Sequence, residues 1–273
     1  MSSPSVHPVA WRRVLLALLA AAALCACSTP PPSAEVLATR AVLAPSGKLR
    51  VGVYPGSPTS LVQAAGGADR GVTVELGRAL AQRLGVPYEQ VEFARVALVL
   101  DALKAGQVDF TVTNASPARA AELRFTPPLL ELELGYLVLP ASPVQAIGDV
   151  DRPGVRVGVS QGSSSQGTLG KQLRAATLVP APTLKAAAEM LLAGQVDAFA
   201  TNKGILFEMA DGLPGARVLD GRWGVEHLAI ALPMGRDAGF EFVRAFADEA
   251  RRSGLVQEAA ARAGLRGVAA PSP

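Results

Sequence analysis

Ala105-Gly106-Gln107-Val108-Asp109-Phe110-Thr111-Val112-Thr113-Asn114 recurs as Ala193-Gly194-Gln195-Val196-Asp197-Ala198-Phe199-Ala200-Thr201-Asn202, identical at seven of ten positions. A second pair lies upstream of each copy. Leu49-Arg50-Val51-Gly52-Val53, followed by Tyr54-Pro55-Gly56-Ser57, matches Val155-Arg156-Val157-Gly158-Val159, followed by Ser160-Gln161-Gly162-Ser163. One such likeness could arise by chance in a chain rich in Ala, Gly and Val. Two in the same order argue for repeated halves. The spacing, roughly 100 residues, is too long for a solenoid and indicates two similar α/β lobes.

Local patterns agree. Residues 49–54 and 155–160 are short β-branched runs bounded by Gly. Residues 71–84 place Val74, Leu76, Leu80 and Leu84 near one helical stripe, with Gly85 as a stop signal. The spacing predicts helices over 96–105 and 183–193, each ended by a Gly and followed by a short apolar strand. Strands alternating with helices imply parallel sheets, whose ligands sit beyond the carboxyl ends of strands beside helix N-termini. Both Thr-Asn pairs and both Gly-Ser loops fall there, so facing lobes would bring all four to one cleft. Glu133–Leu139 and His227–Leu232 are apolar strands leading out of each half, suited to cross between lobes. Two amphipathic helices, about 238–252 and 255–264, close the chain.

Composition narrows the function. The 273 residues are 49% apolar and 18% charged, a globular balance. Setting aside residues 1–26, which hold Arg12 and Arg13 and no acid, leaves 24 basic against 23 acidic residues, a charge of +1. That charge, with 5% aromatics, gives no case for nucleic acid. Both Cys lie within the first 27 residues, and there are only two His. The remaining chain therefore has no disulfide and no Cys- or His-based metal site. No cofactor is expected.

Trp11-Arg12-Arg13 precedes the apolar run Val14–Leu24, the pattern of a signal peptide and too short to span a bilayer. Leu24-Cys25-Ala26-Cys27 has the form of a lipobox with Cys27 as the lipidated residue, an incidental Cys in an ordinary signal being the alternative. The expected product is exported to the periplasm and held on a membrane by acyl chains, with Pro30-Pro31-Pro32 in its tether.

Taken together, five motifs resemble the bacterial extracellular solute-binding proteins of family 3, type II periplasmic binding proteins that deliver polar amino acids and related solutes to ABC transporters. They are Leu49–Val53; Leu103–Asp109; Ser116-Pro117-Ala118-Arg119 with Phe125-Thr126-Pro127-Pro128; Gly154–Ser164; and Leu192–Ala198. The resemblance covers roughly residues 47–267. It implies an α/β, two-lobed type II fold, each lobe a mixed, mostly parallel sheet flanked by helices, joined by two crossover strands. The expected layout is a signal peptide (1–26), a lipidated tether (27–46), lobe 1 (47–140), lobe 2 (141–224), a return to lobe 1 (225–267) and a tail (268–273).

The resemblance also implies a site. Arg119 occupies the position that binds the ligand's carboxylate, chemistry suited to a guanidinium fork, with a surface pair to Glu122 as its alternative. Asn114 and Ser116 stand where the family has Ser and Thr on the same carboxylate; loop capping is the alternative for both. Ser163, Ser164 and Ser165 fill the Gly-Thr-Thr position in lobe 2, where Ser both caps a helix and leaves N–H donors for an anion. Asn202 departs from the pattern: amino-acid binders carry an Asp there against the ligand's ammonium. An amide offers no countercharge, which weakens the free amino-acid reading and leaves two: a carboxylate lacking an ammonium, or an amino acid countered by Glu226 or another acid. Ser57 and Thr59 occupy the stretch where relatives place an aromatic. Tyr54 is the nearest aromatic, either swinging onto the ligand or packing at the strand end. His227 has no partner His and suits a solvated or hinge position.

The function implied is a non-enzymatic, monomeric binding lipoprotein that carries a small carboxylate-bearing solute to an inner-membrane permease. The alternatives are a periplasmic cyclohexadienyl-type dehydratase, with Glu226 as its acid, and a sensor or docking lipoprotein without its own transporter.

Overall fold

A computed structural model describes residues 34–63 and 66–269. The signal segment, Cys27 and the proline run lie outside the described residues.

The helix α1 (Ala34–Leu43) comes first in the described chain; the first lobe contains β1 (Leu49–Val53), α2 (Val72–Leu84), β2 (Tyr88–Glu92), α3 (Val96–Lys104), β3 (Thr111–Asn114), the short α4 (Pro117–Ala120) and β4 (Leu123–Phe125). The long strand β5 (Leu130–Val138) leads out of it. The second lobe contains β6 (Arg156–Ser160), α5 (Ser164–Gln172), β7 (Thr177–Ala181), α6 (Leu184–Leu192), β8 (Ala198–Asn202), α7 (Lys203–Asp211) and β9 (Arg217–Val218). Strand β10 (Gly224–Pro233) returns, and α8 (Asp237–Arg252) and α9 (Leu255–Arg262) pack on the first lobe.

Pairing is parallel away from the hinge and antiparallel at it. β1 runs parallel to β2, and β6 to both β7 and β8. β10 runs antiparallel to β3 and β5, and β5 antiparallel to β8. The antiparallel pairs arise because the crossover strands do more than connect: β5 and β10 pair with each other, so one sheet in the order β3-β10-β5-β8-β6-β7 runs through both lobes, with β1 and β2 as a separate pair. Buried apolar residues fall into separate clusters. Val51, Leu80, Phe110, Leu132, Ile230 and Val243 belong to one on the first lobe's side. Tyr136, Val157, Leu169 and Ala200 belong to another on the second lobe's side.

The repeated motifs are the same structural unit built twice. Arg50 grips Asp109, Nε to Oδ2 at 2.9 Å and Nη2 to Oδ1 at 2.7 Å. Arg156 grips Asp197 in the same way, at 3.1 and 2.8 Å. In each half the arginine's own N–H donates to that carboxylate. The carboxylate thereby stitches the helix–strand turn to the neighbouring strand, a bidentate, charge-assisted contact. The matched glycines follow from the same packing. A β-carbon on Gly52 would stand 3.1 Å from Val108, and one on Gly158 would stand 3.3 Å from Val196. The turn glycines Gly106 and Gly194 have φ of 66° and 63°, which other residues rarely adopt.

The lobes are closed on each other. A β-carbon on Gly162 would lie 2.6 Å from that of Ala97, and Gly56 packs on Leu184. At the back, the segment after α9 laces the lobes together. Leu132 bridges Val268, and Ala269 N–H donates to the Glu131 carbonyl at 2.9 Å. Gly267 packs against Lys203, Leu265 against Gly204, and the Arg266 guanidinium lies 4.9 Å from the Phe207 ring centre.

Candidate functional site

A partly open cavity of about 40 Å³ lies between the lobes. The first lobe supplies Tyr54 at the end of β1, Thr113 and Asn114 at the end of β3, Arg119 from α4, and Thr59, Arg95 and Val96. The second supplies Ser160 at the end of β6, Ser163, Ser164 and Ser165 at the start of α5, Thr201 and Asn202 at the end of β8, and Leu184 and Ile205. Glu226 and Leu228 enter from β10. Parallel strands and helix N-termini thus converge as their topology requires.

Arg119 is held by its own lobe: Nη1 donates to Thr113 Oγ1 at 2.8 Å and to the Asn114 carbonyl at 3.3 Å. Desolvation pushes its pKa down, opposed by Glu226 and Tyr54. Two helix starts face it from the second lobe. Ser163 Oγ accepts from Gln166 N–H at 3.1 Å, capping α5. The N–H groups of Ser164 and Ser165 have no acceptor within their own helix and are donors for an anion.

Asn202 does two jobs. Its Oδ1 caps α7 by accepting from Ile205 N–H at 3.0 Å, and its Nδ2 donates to Glu226 Oε1 at 2.8 Å. Glu226 is buried. Burial pushes its pKa up, with Arg119, the Asn202 hydrogen bond and His227 acting against the shift. The site therefore does hold a carboxylate beside Asn202, but it comes from the crossover strand.

That shift has a stability sign. With its folded pKa above the unfolded one, Glu226 keeps its proton in the folded chain after the unfolded chain has lost it. Stability then falls as pH rises between the ordinary carboxylate range and the raised folded value. Glu226→Gln removes this penalty and keeps an acceptor for Asn202. The ligand-free variant is expected to melt a few degrees above the parent at pH 7–8, with the gap closing at about pH 4, in thermal scans across pH.

Two expected site residues lie off the cavity wall. Ser57 is fully buried, and its hydroxyl pairs with Thr59 at 2.9 Å. Ser116 caps α4 by accepting from Arg119 N–H and lines a neighbouring groove between the lobes, which Arg119, Ser163 and Ser164 also line. Asn114 lines the cavity, but its Oδ1 is committed to His227 N–H at 3.0 Å. Tyr54 lines the cavity while packing on the second lobe's core, and burial pushes its phenol pKa up. His227 sits beside Glu131, Nδ1 to Oε1 at 3.0 Å. Arg95, Thr113 and Thr201 were not singled out in the sequence as ligand residues. Both threonines belong to the repeated Thr-Asn pairs, which was the available signal. No group of three or more His, Cys, Asp or Glu able to hold a metal occurs among the described residues. No helix among them is long and apolar enough to cross a membrane.

Comparison with known proteins gives three findings. The family profile for bacterial extracellular solute-binding proteins, family 3, matches residues 49–262. Among solved structures, the solute receptor for L-cysteine of Neisseria gonorrhoeae superposes with a TM-score of 0.74 at 22% identity, over 84% of this chain and 92% of that one. An amino acid ABC transporter substrate-binding protein from Streptococcus pneumoniae, bound to L-arginine, gives 0.73 at 22%, over 86% and 100%. The ancestral amino acid-binding protein AncCDT-1, a precursor of cyclohexadienyl dehydratase, gives 0.70 at 22%, over 80% and 96%. At these identities the likeness is one of fold, the type II periplasmic-binding-protein fold. A membrane-bound lytic murein transglycosylase F from Maricaulis maris is 36% identical over 118 residues, which is 42% of this chain and 26% of that protein. The chain thus spans about a quarter of the length of that curated relative. With the profile covering most of its length, the chain belongs to the bacterial extracellular solute-binding proteins, family 3.

Proposed function

We propose that the chain is a lipoprotein, anchored through Cys27, that captures a small carboxylate-bearing solute outside the cytoplasmic membrane and presents it to an ABC permease. Lobe 1 (47–140 with 225–267) holds the solute's carboxylate on Arg119, and lobe 2 (141–224) completes the contact with the N–H groups at 164–165. The observation that carries this reading is the position of Arg119: a desolvated guanidinium in the cavity between the lobes, facing helix N-termini of the opposite lobe. Contacts made only when the lobes are closed let the solute shift the open–closed equilibrium, and the closed form is what a permease would recognise.

Thermal scans of the purified chain against amino acids, dicarboxylates and aromatic acids test it. A true solute at a hundred times its Kd stabilises by about 2.7 kcal/mol, which is roughly 5–10 °C for a chain of this size. A panel without any such shift removes the reading.

A second reading is a cyclohexadienyl-type dehydratase. It is favoured by Glu226, a buried acid whose raised pKa would keep a proton near Arg119 for a departing group. Incubation with prephenate and arogenate, followed by detection of aromatic product, separates the two.

A further inference from the structure

The cavity contains a second guanidinium. Arg95 stands where β2 gives way to α3 and lines the same wall as Tyr54 and Arg119. Its backbone starts the helix, its carbonyl accepting from Leu98 and Val99 N–H at 3.2 and 3.4 Å, while its side chain forms no cap. Its Nε is buried and has no hydrogen-bond partner among the described residues. Buried donors are almost always paired, and one left alone costs its full desolvation. Arg50 and Arg156, the arginines of the repeated motif, each grip a carboxylate. The partner that Arg95 lacks is missing from the cavity wall.

Charge balance says what that partner is. Apart from Arg95, Arg119 and Glu226, the wall residues are hydroxyls, amides and apolar groups. With Glu226 ionised the cavity carries one excess positive charge; with Glu226 protonated it carries two. A zwitterion with one carboxylate leaves an excess in either state, whereas a second acid group gives the second guanidinium a charge-assisted partner. With Glu226 ionised, an acidic amino acid whose ammonium Glu226 takes balances the site, as does a plain monocarboxylate; with Glu226 protonated, a plain dicarboxylate does; only a second acid group gives Arg95 and Arg119 a charged partner each.

We propose that Arg95 holds a second acid group of the solute, so that the chain selects compact dicarboxylic solutes of amino-acid size over their neutral counterparts. The assignment rests on Arg119 as the holder of the first carboxylate.

Calorimetric titration of the full chain with L-aspartate, L-asparagine, succinate and L-alanine tests this, alongside Arg95→Gln and Arg119→Ala. The parent is expected to prefer aspartate over asparagine by roughly thirtyfold or more, as when one partner of a buried charge pair is lost. Arg95→Gln is expected to bring that ratio close to one while alanine binding persists. Arg119→Ala is expected to weaken all four. Succinate distinguishes the two acid classes: binding equal to aspartate means that the ammonium adds nothing, and weaker binding means that Glu226 takes it. A parent that binds alanine through Arg119 but does not favour aspartate over asparagine overturns the Arg95 assignment alone, as does a ratio unchanged in Arg95→Gln. A parent that binds none of the four refutes the two-acid solute; a carboxylate solute found elsewhere in the wider panel then leaves the Arg119 reading standing.

Discussion

Arg119→Ala is expected to abolish solute binding while leaving the fold intact. Losing one partner of a buried, hydrogen-bonded charge pair costs about 2–5 kcal/mol, a fall of roughly thirty- to several-thousandfold in affinity. The fold survives because the hydrogen-bond partners that Arg119 leaves behind are a hydroxyl and a carbonyl at the cavity wall, which water can satisfy. The removal is also felt by Glu226, which loses the cation that most opposes its burial. The variant's circular dichroism and melting should match the parent's to within a few degrees while the ligand-induced shift disappears. Arg119→Lys keeps the charge but loses the fork and is expected to fall between the two. Binding retained in Arg119→Ala would take this residue out of the site.

The largest effect on stability is expected at Asp109. Its carboxylate has no exposure and is shared by two guanidiniums, Arg50 at 2.7 Å and Arg236 at 3.1 Å. Asp109→Ala strands both cations, and breaking a buried pair this way costs about 3–5 kcal/mol. That corresponds to roughly 6–20 °C in Tm for a chain of this size. Its twin provides an internal control. Arg156, the partner of Asp197, has a side chain 42% exposed, so its freed charge is rehydrated. Asp197→Ala is therefore expected to lose clearly less. Equal losses in the two variants would mean that burial does not set the difference.

Much of the fold was legible because the repeated motifs are physical units. Each Arg-x-Gly strand and Gly-Gln-Val-Asp turn is joined by an ion pair and a glycine–valine contact, so identity in sequence followed identity in structure. The predicted helices over 96–105 and 183–193 appear as Val96–Lys104 and Leu184–Leu192. The crossover strands were legible as apolar runs, but not as neighbours in one continuous sheet, because partner choice depends on long-range register. The site was less legible. Arg119 stood out only through its motif. Ser57 and Ser116 were placed by motif position, whereas local hydrogen bonds take up their hydroxyls. Glu226 could be named only conditionally, since nothing local shows that a strand of the return segment delivers it to Asn202. Arg95 gave no signal at all: an arginine after a strand is ordinarily solvated, and only the folded chain shows it lining the cavity.

The lacing behind the hinge fixes the kind of movement available to the molecule. Leu265–Ala269 are stitched to β5 and rest on α7, whereas the front contacts at Gly162–Ala97 and Gly56–Leu184 hold no such thread. The spine of the book is sewn and its fore-edge is free. Gape must therefore grow with distance from that seam, and whatever enters does so from the front.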